Sequence, residues 1–272
     1  MQTEQDFHSL LAPTRLDDLH FRGESLPLDS PAIYGGQLMA QVLNVAAATL
    51  QDARTVHYLQ TSFVAFGDPR APLEFEVTRI RDGRSTSHRQ VLLTQGERVL
   101  LTASLSFQRG ASGYEHQVAM PHVTDPQPLL DDPDTPLVFS EENGEGFPFL
   151  ILTCPESPGD PQASAAVWAR PRAAVNDDPL LHQMLFTFFS DATILQSALQ
   201  PHALDWEHPD VMITTMNHSI WFHRPFDINQ WLLLSSESPS TGNGRALSTA
   251  NAFTQDGKLV ATLAQEGVLR GR

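Results

Sequence analysis

Apolar and polar positions follow two different periods along this chain. Leu73, Phe75 and Val77 alternate with Glu74, Glu76 and Thr78. Leu101, Ala103, Leu105 and Phe107 alternate with Thr102, Ser104 and Ser106. A period of two predicts strands with one face on a core and the other toward solvent or a partner. The intervening turns are short, so neighbouring strands are expected to be antiparallel. Two other segments follow helical spacing: Leu38, Met39, Val42, Leu43, Ala46, Ala47 and Leu50 after Gly35-Gly36, and Ile194, Leu195 and Leu199 after Ser190-Asp191. Both are more apolar than a surface helix. A helix wrapped by a curved antiparallel sheet would read this way.

The order of elements occurs twice. Residues 61–107 and 219–269 both open on an aromatic run leading to Asp, at Asp68 and Asp227. Both continue with an apolar strand, a turn with Gly (Gly83, Gly242), a long strand ending in Thr-Gln, a tight turn (Gln95-Gly96, Asp256-Gly257) and another apolar strand. The period is longer than that of solenoid repeats, so it points to duplication of a domain. The Pro- and Asp-rich stretch 120–146 reads as a linker or irregular crossover. The expected division is therefore 1–119, a linker at 120–146, and 147–272.

Composition narrows the function classes. The chain has 272 residues, 41% of them hydrophobic, enough for a substantial core. Asp and Glu number 32 against 17 Lys and Arg, a formal charge of -15, which argues against a nucleic-acid partner. No stretch approaches the roughly 20 apolar residues that span a bilayer. The N-terminus lacks the apolar core of a secretory signal, and Cys154, the single cysteine, can form no intramolecular disulfide. A cytoplasmic setting is the expectation. His57, His218 and His223 lack metal-ligand spacing, and no metal or redox cofactor is expected. There is no Gly-x-Ser-x-Gly elbow. Gly35-Gly36-Gln37 reads as close packing at a helix start rather than a nucleotide loop.

Several strings occur in a telling series: FRGES at 21–25, YGGQLMAQ at 34–41, RDGRS at 81–85, YEHQ at 114–117, SDATIL at 190–195, LQPHAL at 199–204, NHSIWFHRPF at 217–226 and TQDGKLVATLAQEGVLR at 254–270. Together they resemble the acyl-CoA thioesterase II (TesB-like) family. The resemblance implies an α+β double hotdog, two fused units each with a long helix wrapped by a curved antiparallel sheet. It also implies hydrolysis of fatty acyl-CoA and places the catalytic groups on Asp191, Thr215 and Gln265. A homo-oligomer, a dimer or tetramer, is implied as well. Two departures stand out. Met216-Asn217-His218 occupies a place where the family commonly has Ile-Asp-His, and FVAFGD one where it often has Arg-Pro before Gly-Asp. Coenzyme A is polyanionic, so a chain this acidic needs a local basic patch, for which Arg224, Arg245 and Arg270 are the candidates.

Those residue types suit the chemistry. A thiolate leaves readily, so activating water is the harder task. Asp191 would act as general base, with Thr215 and Gln265 holding the water; direct attack by Asp191 through a mixed anhydride is the other route. The oxyanion would rest against a helix N-terminus, expected at Ser190-Asp191. Two other readings are a hotdog hydratase or dehydratase using an Asp-His pair, for which His218 and His223 come into question, and a non-catalytic acyl-CoA binder. The first half suits a structural role, because Leu105 or Ser104 stands where Gln265 would be.

Overall fold

A computed structural model describes residues 11–26, 28, 30–137, 147–155, 165–206, 208 and 211–271. Its elements are β1 (Thr14–Arg15), β2 (His20–Gly23), α1 (Gly35–Ala47), β3 (Thr55–Phe63), β4 (Leu73–Asp82), β5 (Thr86–Gln95), β6 (Arg98–Gln108), α2 (Pro126–Asp131), β7 (Phe149–Thr153), β8 (Ala165–Pro171), α3 (Pro179–Ser190), the 3-10 turns η1 (Ile194–Ala198) and η2 (Gln200–His202), β9 (Val211–Phe222), β10 (Leu232–Gly242), β11 (Arg245–Thr254) and β12 (Leu259–Gly271). The chain forms two compact units. One falls within Met1–Glu115, Asp177–Asp191 and Ser219–Trp221, the other within His116–Asn176, Ala192–His218 and Phe222–Arg272. The single break expected at 120–146 is thus too simple. Residues 177–191, expected in the C-terminal domain, belong to the first unit, and the described part of the linker belongs to the second; its residues 138–146 lie outside the described set.

In the first unit the strands run β1-β2-β4-β5-β6-β3, each pair antiparallel. Helix α1 is buried from Gly36 through Val42 and on nearly every residue to Ala46. Buried amides fix the segment before it: Gln41 Nε2 donates to the Glu24 carbonyl at 2.9 Å, and Gln37 Oε1 accepts the Leu26 N–H at 3.0 Å. The FRGES and YGGQLMAQ strings are therefore two sides of one hydrogen-bonded contact.

The second unit runs β9-β12-β11-β10-β8-β7. The order β8-β10-β11-β12-β9, with a helix between β8 and β9 in sequence, repeats β2-β4-β5-β6-β3 with α1 between β2 and β3. The duplication read from the sequence is thus a duplication of topology. Register aligns the copies. β5 and β6 slip after Leu93↔Leu101, and β11 and β12 slip after Ala252↔Ala261. Counting from those slips, the pair Arg89↔Leu105 corresponds to Ser248↔Gln265. Of the two residues proposed opposite Gln265, Leu105 is the counterpart. The β10–β11 turn is Asn243-Gly244, not Gly242. Both turn residues have positive φ, 51° and 71°, as a two-residue type I′ hairpin requires.

One expectation needs correction. The second helix does not begin at Ser190-Asp191; it ends there. Asp178 accepts the Leu180 N–H at 2.9 Å and Pro179 opens the helix, so α3 starts upstream. Leu181, Met184, Leu185, Phe188 and Phe189 supply its apolar spacing, while Ile194–Ala198 is only a 3-10 turn. Described residues of the 120–146 stretch are bonded into the second unit: Trp168 Nε1 donates to Thr124 O at 2.9 Å, and just before the stretch Gln117 bonds Gly257 O and the Leu259 N–H. Leu129 of α2 packs with Trp168, Trp231, Leu233 and Phe253.

Candidate active site

Asp191 stands at the C-terminal end of α3, following Ser190. A carboxylate is poorly placed at a helix C-terminus, where backbone carbonyls and the dipole present negative charge. Its side chain lies instead against the other end of a helix. A Cβ at position 35 would stand 2.6 Å from Asp191 Oδ2, so the carboxylate occupies the space over the first residue of α1. There the unpaired N–H groups and the dipole favour an anion. The helix N-terminus expected beside Asp191 exists, but α1 supplies it and not the Ser190-Asp191 segment. Tyr34, just before α1, locks this arrangement. Its hydroxyl donates to Phe188 O at 2.8 Å, and its ring meets Phe188 edge-on with centroids 4.9 Å apart. Burial first, and the negative charge of Asp191 second, hold the phenol well above its usual range. Tyr34 therefore stays protonated and donating.

Thr215 and Gln265 come together in the second unit. Gln265 Nε2 donates to Thr215 Oγ1 at 2.6 Å, so the threonine's own proton points elsewhere. Gln265 Oε1 lies 3.0 Å from His218 Nδ1. An amide oxygen only accepts, so Nδ1 carries the proton in this pair. Gln265 and His218 are both fully buried. Burial pushes the His218 imidazole down to about 4, against a smaller upward effect of the Gln265 contact. At neutral pH it is uncharged. On the opposite face of these strands, Asn217 Nδ2 donates to Glu266 Oε2 at 3.1 Å, and Arg245 Nε bonds Glu266 Oε1 at 3.0 Å. The Asn in Met216-Asn217-His218 is a donor to a carboxylate, a role an Asp could not fill while ionised.

The depressed His218 value has a consequence for stability. Its folded pKa lies below the ordinary 6.5, so between those values the unfolded chain binds more protons. Stability is complete above about pH 6.5 and falls as pH drops toward 4, by about 3 kcal/mol from this group. His57 and His223 are displaced in the same direction, chiefly by burial. Urea midpoints at pH 7.0 and 4.5 should differ in the wild type and differ much less in His218→Leu. Equal pH dependence in the two proteins would show that His218 is not buried as a neutral ring.

The three arginines proposed for coenzyme A do not converge. Arg224 is engaged at the start of β12, donating to Leu259 O at 3.0 Å and His116 O at 3.2 Å. Arg245 lies near the other end of that strand, paired with Glu266, and Arg270 lies over Gly244. β12 is 13 residues long, and at roughly 3.3 Å per residue its ends are far apart. Arg224 ties strand ends together; only Arg245 and Arg270 are neighbours. Among the described residues no cluster of His, Cys, Asp or Glu could hold a metal ion, and no helix is long and apolar enough to cross a membrane.

Sequence reasoning missed two parts of the site. It took His218 only as lacking metal-ligand spacing or as a hydratase base, although that residue lies three positions after Thr215. It read Gly35 as close packing only, without the carboxylate that does the packing.

Comparison with known proteins places the chain in a family. Residues 153–268 match the family model described as acyl-CoA thioesterase, and residues 25–108 match acyl-CoA thioesterase N-terminal domain. The chain is 34% identical to acyl-CoA thioesterase 2 of Haemophilus influenzae, over 96% of each protein. It superposes on the crystal structure of an acyl-CoA thioesterase II, TesB2, from Mycobacterium marinum with a TM-score of 0.81 and 32% identity, covering 98% of each chain. A conserved protein with a hot dog fold from Alicyclobacillus acidocaldarius matches with a TM-score of 0.74 at 20% identity, over 99% of this chain and 100% of that one. The fold is of the hotdog class.

Proposed function

This chain belongs to the TesB-like acyl-CoA thioesterase family and is an acyl-CoA thioester hydrolase, and we propose that it hydrolyses fatty acyl-CoA with Asp191, Thr215 and Gln265. The observation that carries the reading is the Gln265–Thr215 hydrogen bond. It turns the threonine proton away from the amide. Thr215 would donate to one lone pair of the water, and Asp191 would accept one of its protons. The remaining lone pair attacks the thioester carbonyl carbon. The carbonyl π electrons move to oxygen, and collapse of the tetrahedral species expels the coenzyme A thiolate. Backbone N–H groups at the start of α1 would stabilise the oxyanion. In the same reading the repeated topology is a double hotdog with a helix wrapped in each unit. Arg245 and Arg270 meet coenzyme A phosphates, and the protein works in the cytoplasm as a dimer or tetramer. The hydratase reading is weaker, because the Nδ1 proton of His218 is given to Gln265 and not to a carboxylate.

Incubation with a series of saturated acyl-CoA esters tests the reaction. Free thiol should appear in step with free acid, with a maximum at one range of chain length. With a trans-2-enoyl-CoA, loss of conjugated-thioester absorbance without thiol would favour hydration. Binding of acyl-CoA without turnover would favour the non-catalytic reading.

A further inference from the structure

The two copies of the fold act as a control on each other. In the first unit, Leu59 pairs with Leu105 across β3 and β6, and both are buried. Leu105 corresponds in register to Gln265. Leu59 corresponds to His218, each standing four residues before the closing Phe of its strand, Phe63 or Phe222. Counting back in the same way, Val56 corresponds to Thr215. The residue following helix α1 is Ala48, where Asp191 follows α3. Four polar groups of one copy are thus apolar in the other: Asp191, Thr215, His218 and Gln265 against Ala48, Val56, Leu59 and Leu105.

That substitution pattern separates the needs of the fold from those of the chemistry. The strand pair packs well with Leu against Leu, so hydrogen bonding between His218 and Gln265 is not a structural requirement at this register. Burying an imidazole and an amide carries a desolvation cost that two leucines avoid. The polar pair exists only in the copy that also has Asp191 and Thr215.

Resting on the thioesterase reading above, we propose that His218 is a positioning residue: by donating from Nδ1 to Gln265 Oε1 it fixes which end of the amide faces Thr215. A primary amide is nearly symmetric in shape, and a half-turn exchanges its oxygen and nitrogen. A hydroxyl can face either end of an amide, because it can donate or accept. With Nε2 toward Thr215, the threonine proton is turned away from the amide. With Oε1 toward Thr215, that proton is consumed by the amide, and the water loses its donor. His218 holds the productive orientation because the atom it presents is an N–H. Burial supports this by keeping the ring neutral, so a single tautomer can persist through the working pH range.

The test combines His218→Leu, His218→Asn, Gln265→Leu and the double variant His218→Leu/Gln265→Leu in the full chain. Each is first checked for a cooperative thermal transition. His218→Leu should lower kcat about 30-fold with KM changed less than about 3-fold, since the group acts on geometry at the reacting centre. His218→Asn, which keeps an N–H near the Nδ1 position, should recover at least a third of the wild-type kcat. In the Gln265→Leu background, His218→Leu should cost nothing further, because there is no amide left to orient. Wild-type kcat in folded His218→Leu overturns the proposal, as does an equal loss in both backgrounds or an Asn variant as slow as the Leu variant. If His218→Leu fails to fold, the Asn variant and the leucine pair, which copies Leu59 and Leu105, give the decision. Failure of the underlying reading looks different: Asp191→Asn would then retain wild-type thiol release whatever His218 does.

Discussion

Asp191→Asn is expected to lower kcat for thiol release by about 10³-fold while leaving KM within a few-fold of wild type. Asn has nearly the same shape, so the residue still follows α3 and still fills the space over Gly35. What disappears is the base. Water must lose a proton as it attacks, and general-base catalysis contributes about 10²–10⁴ in rate. Neither Thr215 nor Gln265 can take that proton at neutral pH. The seat over Gly35 fixes the position of the carboxylate for that transfer. Purified variant and wild type would be compared at saturating acyl-CoA, with thermal midpoints measured alongside. A folded variant that releases thiol at the wild-type rate removes Asp191 from the mechanism.

Much of this was legible in one dimension, and the reasons are physical. Strand alternation at 73–78 and 101–107 survives in β4 and β6, because a sheet with one buried face imposes a period of two. The duplication was visible because aromatic-Asp openings, Gly turns and apolar strands recur in one order, and the topology repeats them. Helix α3 was misplaced by a full element. Its run Leu-Leu-His-Gln-Met-Leu-Phe-Thr-Phe-Phe carries helical spacing at 181, 184, 185, 188 and 189 that was passed over, while Ser190-Asp191 imitates an N-cap. The real start signal was Asp178-Pro179. Arg224, Arg245 and Arg270 could not be sorted, because charge is written in the sequence but convergence is not. The link from His218 to Gln265 joins residues 47 apart in the chain and depends on neighbouring strands aligning in register. Only tertiary structure supplies that alignment, although the Leu59–Leu105 pair held the clue once the copies could be matched.

Gly35→Ala should cut kcat by about 10²-fold and Gly36→Ala should unfold the protein more easily, although each adds only one methyl group. Replacing a helical Gly by Ala ordinarily stabilises by about 1 kcal/mol through backbone entropy. Here contacts reverse the sign. At position 36 the new Cβ would lie 2.1 Å from the Phe188 carbonyl oxygen and 2.6 Å from the Tyr34 ring. A backbone oxygen cannot step aside, so α1 and α3 must separate and the Tyr34–Phe188 hydrogen bond is strained. Overpacking of this kind costs about 3 kcal/mol, leaving a net loss of about 2 kcal/mol, or roughly 5 °C in thermal midpoint. At position 35 the nearest atom is Asp191 Oδ2, at 2.6 Å, with the Phe63 ring next at 3.1 Å. A carboxylate is the far end of a side chain and can rotate away. The fold therefore tolerates Gly35→Ala with a thermal midpoint close to wild type, while the base is displaced by about an ångström, enough for a 10²-fold loss in rate. The pair of variants separates packing from catalysis at adjacent residues. A stable Gly35→Ala protein with wild-type kcat would mean that the carboxylate can act without its seat at the start of α1, and a stabilised Gly36→Ala protein would mean that α1 and α3 do not meet as closely as the structure places them.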